Sequence, residues 1–205
     1  MRNECSSCTL TPSRHELRDK TRMDILPLTT ERLLLRRFGR HDLAAFAGYR
    51  NQPEVARYQS WSSYSAADAE AFFEQQHGLA FNTGESWFQI AAERKADGAL
   101  AGDVAVHFFD DGQQAEIGVT FDSLYQKQGY ATEALSRVIA CLFDDLKKHR
   151  ITATVDAANL HVQRLLEKLG FRREAHFREN IFFKGAWSDE YGYALLAREW
   201  QSSQP

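Results

Sequence analysis

The chain has few cysteines, no long hydrophobic run and almost no net charge, and each shortage narrows what it can be. Three cysteines in 205 residues, Cys5, Cys8 and Cys141, make no disulfide framework, so a reducing, cytoplasmic setting fits better than a secreted one. Cys5 and Cys8 have the spacing of a zinc or redox pair. No second Cys or His pair follows at ligand spacing and no βαβ pattern surrounds them, so no metal is expected. No apolar stretch approaches the roughly 18 residues of a membrane span, and the N-terminus lacks the apolar core of a secretory signal. A formal charge of −3 supplies no basic field, which leaves nucleic acid and anionic membrane without a case as partners.

What is there suffices for one substantial core: 43% apolar against 26% charged residues. Residues 1–22 are polar, contain Pro12 and show no sustained period, so they read as a disordered N-terminal extension; Met23 then opens a single domain, 23–205. Strand patterns fall at Leu33–Phe38, Trp87–Glu93, Leu100–Phe108 and Ala115–Phe121, the last three separated by turns at Lys95–Gly98 and Asp110-Asp111-Gly112. Helical spacing marks His41–Asn51, through Leu43, Phe46 and Ala47. A second helix follows Ser65, an N-cap with Asp68 and Glu70 in the early turns and Ala69, Phe72 and Phe73 on one face. Ala131–Leu146 has the stripe of a helix packed on a sheet, Ile151–Val155 is a short strand, and Val162, Leu165, Leu166 and Leu169 stripe a helix closed by Gly170. Phe171–Phe183 and Glu190–Ala197 pair as final strands around Lys184-Gly185. Strands and helices mixed without internal repeat imply a three-layer α/β domain.

The strand Ala115–Phe121 leads into Gln126-Lys127-Gln128-Gly129-Tyr130-Ala131, and this turn opens a helix. A glycine turn between strand and helix gathers free backbone N–H groups at the positive helix end, which makes a cradle for phosphate. The three glycines of a dinucleotide loop are missing, and so is the Gly-Lys-Ser/Thr of an ATP loop. The alternative is an ordinary strand-to-helix turn whose glycine serves only its dihedral angles.

Gln-x-x-Gly-x-Ala resembles the coenzyme A pyrophosphate loop of the GNAT superfamily of N-acetyltransferases. Asn159-Leu160-His161-Val162-Gln163-Arg164-Leu165-Leu166-Glu167-Lys168-Leu169-Gly170-Phe171 is similar to the next motif of that family, an asparagine, a short helix ending Glu-Lys-x-Gly-Phe, and a strand. Thr30-Glu31-Arg32-Leu33-Leu34-Leu35-Arg36, with Gly185, Asp189 and Glu199-Trp200, resembles the branch that acetylates ribosomal-protein N-termini, so the likeness runs from Leu28 to Trp200.

The resemblance implies a mixed, mostly antiparallel central sheet of about six or seven strands flanked by helices. It implies acetyl-CoA as cosubstrate, no metal, and a primary amine, on a protein N-terminus or a small molecule, as acceptor. By the same likeness the N–H groups of Gln128, Gly129 and Tyr130 hold the pyrophosphate. Gln126 holds the loop or donates a hydrogen bond, Lys127 steers the phosphates, and Ala131 and Thr132 follow at the helix start. Val119, Thr120 and Phe121 pair with the pantetheine arm, while Asn159 and Arg164 meet it from the facing side; helix N-capping is the alternative for Asn159.

A free α-amine has a pKa near 8 and a lysine near 10.4, so a base or water relay must take a proton before attack. Glu116, on the strand leading to the loop, is the candidate catalytic base, with exposure on an alternating strand as its alternative. Glu179, Asp189, His107 and Tyr58 follow it. Tyr58, Trp61, Arg178 and Phe182 lie in aromatic-rich segments suited to an amine acceptor; otherwise those aromatics belong to the core or to a second copy of the chain, which leaves a homodimer open. Many family members carry a tyrosine seven residues after the motif asparagine and the ribosomal branch a serine three after it; here stand Leu166 and Val162. A thiol with a pKa near 8.5 leaves readily as thiolate, so chemistry survives that loss. Two functions follow: an N-acetyltransferase working by direct attack, or an acyl-CoA-binding sensor or scaffold of the same fold that has lost catalysis.

Overall fold

The computed structural model describes residues 25–110 and 112–203. The expectations for residues 1–22, for Met23, for Cys5 and Cys8, and for Asp111 in its turn lie outside these residues.

The sheet has eight strands, β1 (Leu28–Thr29), β2 (Leu33–Arg36), β3 (Ser86–Arg94), β4 (Leu100–Phe109), β5 (Gln114–Phe121), β6 (Arg150–Asp156), β7 (Arg172–Phe183) and β8 (Ala186–Leu196), with burial alternating most clearly in β2 and β6. Their spatial order is β1-β2-β3-β4-β5-β6-β8-β7, with every neighbouring pair antiparallel except β5–β6. The helices are α1 (Leu43–Arg50), α2 (Pro53–Ala56), α3 (Ala66–His77), α4 (Tyr130–Ala140), α5 (Leu160–Lys168) and α6 (Ala197–Ser203). In β3, Ile90 and Ala92 join the core under α4 and α5, whereas Ala91 between them joins a second core with Phe46, Tyr49, Ala69 and Phe73 of α1 and α3. Period-two alternation thus sorts one strand between two helical layers, and the three-layer expectation holds.

Local chemistry sets several boundaries. Ser65 caps α3, its hydroxyl accepting from the Asp68 N–H at 3.1 Å while the Asp68 carboxylate accepts from the Ser65 N–H at 2.7 Å. Lys184 and Gly185 both have positive φ, 50° and 86°, as a two-residue hairpin turn requires, so β8 begins at Ala186 rather than Glu190. β2 ends at Arg36, two residues before the expected Phe38. The expected helix to Leu146 gives way after Ala140 to a π turn, Cys141–Asp145. Cys141, Leu142 and Phe143 are all buried there, and three successive α-helical positions spread too far round the axis to share one side; the wider turn gathers them. The sheet has one strand more than expected because β1 is two residues long, too short to show a period.

Candidate active site

The sheet opens at its one parallel pair. β5 and β6 are in register only at Gln114–Arg150, Ala115–Ile151 and Glu116–Thr152. Beyond Glu116, β5 continues with β4 and β6 with β8, so the strands diverge and two backbone edges face a wedge. Two cavities fill it. They share Tyr58, Gln59, Val119, Thr120, Asn159 and Val162, and so meet across the end of β5.

The first cavity, about 310 Å³, is lined by Val119, Thr120, Phe121, Gln126, Lys127, Gly129, Tyr130, Ala131, Thr132 and Asn159. The loop braces itself: Gln126 Nε2 donates to the Phe121 carbonyl at 2.8 Å and Gln128 Nε2 to the Leu124 carbonyl at 2.7 Å. Gln126 therefore spends its amide on the loop. Gly129, with φ 86°, caps α4, a conformation that a Cβ penalises. Asn159 caps α5, its side-chain oxygen accepting from the Val162 N–H at 3.4 Å, while also lining both cavities. Gln128 and Arg164 are not in the lining: the Gln128 carbonyl turns to Arg32, and Arg164 is exposed on α5.

The second cavity, about 250 Å³, lies on the α1 side of the wedge. Tyr58 and Trp61 line it, Tyr58 Oη donating to the Ala158 carbonyl at 3.2 Å and Trp61 Nε1 to the Arg50 carbonyl at 3.0 Å. Its charged floor was missed from sequence. Asp103 is buried, accepts from the Tyr49 hydroxyl, and sits 3.4 Å from Arg50 Nη2, whose guanidinium is sandwiched 4.1 Å from the rings of both Phe46 and Trp61. Burial pushes the Asp103 carboxyl above the usual carboxylate range, Arg50 and Tyr49 opposing it only in part. Arg50 Nε and Gln89 Oε1, both on residues lining this cavity, are buried without a hydrogen-bond partner. The signal was a lone carboxylate in the apolar run Leu100–Val106, which burial obliges to pair.

Other candidates fall elsewhere. Glu116 is half-buried on the same face of β5 as Gly118 and Thr120, opposite His107 and Thr152, but outside the lining of both cavities. Arg178 and Phe182 are exposed and line neither, because the β7–β8 hairpin carries them out along the edge strand; Phe182 packs on Trp187 near the tip instead. His107 is stacked between Trp87 and Phe109. Asp189 accepts from the Glu179 N–H at 2.8 Å and pairs with His176 at 2.7 Å, which hold its carboxyl below the usual range. Val162 and Leu166 stand in the cleft as apolar walls.

No helix among the described residues is long and apolar enough to cross a membrane, and no cluster of metal-ligating side chains is found among them. The family model of the Acetyltransferase (GNAT) domain matches residues 32–172. The chain is 32% identical over 173 residues to the uncharacterized N-acetyltransferase YnaD of Bacillus subtilis, covering 84% of this chain and 98% of that one. It is 29% identical over 84 residues to the ribosomal protein uS5-alanine N-acetyltransferase of Escherichia coli, 41% of this chain and 43% of that one. The crystal structure of a GNAT-family acetyltransferase from Bacillus anthracis superposes with a TM-score of 0.76 at 30% identity, over 83% of this chain and 98% of that one. A wedge beside a glycine-capped helix, and a match spanning loop, cleft and sheet, together assign the chain to the GNAT family of acetyltransferases, which use acetyl-CoA.

Proposed function

We propose that the protein transfers an acetyl group from acetyl-CoA to a primary amine, with the donor in the 310 Å³ cavity and the acceptor in the 250 Å³ one. The observation that carries this reading is that the two cavities meet at Val119, Thr120 and Asn159, where a thioester and an amine would touch. On the donor side, Gly129, Tyr130 and the start of α4 hold the pyrophosphate through backbone N–H groups, with Lys127 nearby. The unpaired edge of β5 at Val119–Phe121 supplies peptide groups for the pantetheine amides, and Asn159 closes the facing side.

On the acceptor side, Tyr58 and Trp61 form aromatic walls over the neutralised Arg50–Asp103 floor. The amine nitrogen forms a bond to the acetyl carbon, the C–S bond breaks, and the sulfur leaves as thiolate, needing no acid from Val162 or Leu166. The proton lost by the ammonium passes through water to Glu116, on the same strand face as Gly118. Glu116→Gln should lower kcat more than it weakens binding; rates equal to wild type at every pH would exclude it as base. A protein N-terminus and a small metabolite both remain acceptors, and a cytoplasmic location belongs to this reading.

Release of free CoA from acetyl-CoA with a panel of amines, peptides and free metabolites tests the proposal. Turnover on any member supports it. Tight CoA binding without turnover on any of them would favour the sensor reading.

A further inference from the structure

The opening motif Thr30–Arg36 lines neither cavity, yet part of it touches the pyrophosphate loop. Thr30 Oγ1 donates to Glu133 Oε1 at 2.5 Å, the Arg32 N–H to the same oxygen at 2.8 Å, and Arg32 Nε to Oε2 at 2.7 Å. Arg32 Nη1 donates to the Gln128 carbonyl at 3.0 Å, and the guanidinium lies 4.3 Å from the centre of the Tyr130 ring. Glu133 belongs to the first turn of α4, so this arginine ties the β1–β2 turn to the chain on both sides of Gly129. Arg32 lines neither cavity and reaches the loop from behind.

A trans peptide is planar, with its carbonyl and N–H pointing opposite ways. Holding the Gln128 carbonyl toward Arg32 therefore turns the Gly129 N–H away from Arg32, toward the cavity that Gly129 lines. Glycine tolerates either orientation of such a peptide, and the loop's own braces act at the Phe121 and Leu124 carbonyls; the Gln128 carbonyl is held from outside the loop, by Arg32. We propose that Arg32, locked in place by Glu133 and Thr30, is a positioning residue that fixes the Gln128–Gly129 peptide so that its N–H faces the pyrophosphate. The Thr30–Arg32 segment then serves the donor site, not the acceptor. This rests on the reading of that cavity as the CoA site.

Arg32 acts through geometry. Burial tends to raise the Glu133 carboxyl, but hydrogen bonds from Thr30 and Arg32 outweigh it and hold the group below the usual range, so at neutral pH the ion pair carries no net charge.

Calorimetry of CoA binding and steady-state kinetics on the full chain test the inference. Arg32→Met should raise the CoA Kd and the acetyl-CoA KM about tenfold, with the amine KM unchanged. Arg32→Lys keeps the charge but loses the fork that reaches both partners, so it should not restore affinity. Arg36→Met is the control, since Arg36 pairs with Asp42 and Glu93, each at 2.6 Å, away from the loop; it should lower Tm without moving the CoA Kd. Should Arg32→Met fail to fold, Thr30→Val, which removes a single donor to Glu133, should give a smaller rise of the same sign. Unchanged affinity in the folded variant, full rescue by lysine, or equal effects at Arg32 and Arg36 would each overturn the inference. If the wild-type chain itself bound no CoA, the donor-site reading would fall with it.

Discussion

The two sides of the cleft are made of different material. The donor side is built chiefly on one stretch, Val119–Thr132, faced by Asn159, and offers main-chain groups shaped by one left-handed glycine and the start of one helix. The acceptor side is assembled from side chains that arrive separately: Arg50 from α1, Trp61 from the segment before α3, Gln89 from β3, Asp103 from β4 and Thr154 from β6. A backbone site depends on local dihedral angles, whereas a side-chain site depends on the packing of the whole sheet. The first kind can be damaged by one residue without loss of the fold. The second cannot lose its charged floor without loss of stability.

The largest effect expected is at Gly129. A glutamate there takes on a left-handed conformation costing about 1–2 kcal/mol. Its Cβ would lie 3.3 Å from Arg32 Nη2, behind the loop, so its carboxylate would draw the guanidinium from the Gln128 carbonyl and release the peptide that faces the pyrophosphate. The CoA Kd should rise by at least about 100-fold, with Tm lowered by only about 2–8 °C. Unchanged affinity by calorimetry would refute the cradle and dissolve the contrast between the two sides.

On the acceptor side, Asp103→Ala strands the Arg50 guanidinium, buried between Phe46 and Trp61, without its counter-charge. Breaking a buried pair from one end costs about 3–5 kcal/mol, to be read by denaturant unfolding, and Asp103→Asn should cost less because it still accepts from Tyr49. Equal stability of Asp103→Ala and wild type would mean that this floor bears no structural role. Trp61→Ala, which also uncovers one face of Arg50, should act on binding as well as on stability, raising the amine KM about tenfold with the acetyl-CoA KM unmoved. If both KM values shifted together, the division of the cleft would be misplaced.

That division also explains what the sequence could tell. The loop was legible because its chemistry is local: strand, glycine and helix stripe are adjacent in the chain, and Gly129, Tyr130 and Asn159 line one cavity. β1 was invisible because two residues cannot display a period. Arg50 and Asp103 are 53 residues apart, and nothing local distinguishes a buried arginine on a helix from an exposed one. That Arg178 and Phe182 line neither cavity has a related reason: aromatic and basic composition marks a surface, but only the path of the β7–β8 hairpin says which surface.

The smallest effects should appear on acidification, with opposite sign on the two sides. Glu133, behind the donor loop, has its folded pKa depressed; its contribution is present above the usual carboxylate range, about 4, and is lost as pH falls through the folded value. Asp103, under the acceptor cavity, has its folded pKa raised; the native state holds its proton more tightly than the unfolded chain, so stability falls as pH rises from the usual range to the folded value. Denaturant unfolding of wild type, Glu133→Gln and Asp103→Asn between about pH 3 and pH 6 reads both. The stability advantage of wild type over Glu133→Gln should shrink as pH falls, and its standing against Asp103→Asn should improve over the same interval. Parallel slopes for the two variants would mean that donor and acceptor sides share one electrostatic environment, and the contrast between them would rest on geometry alone.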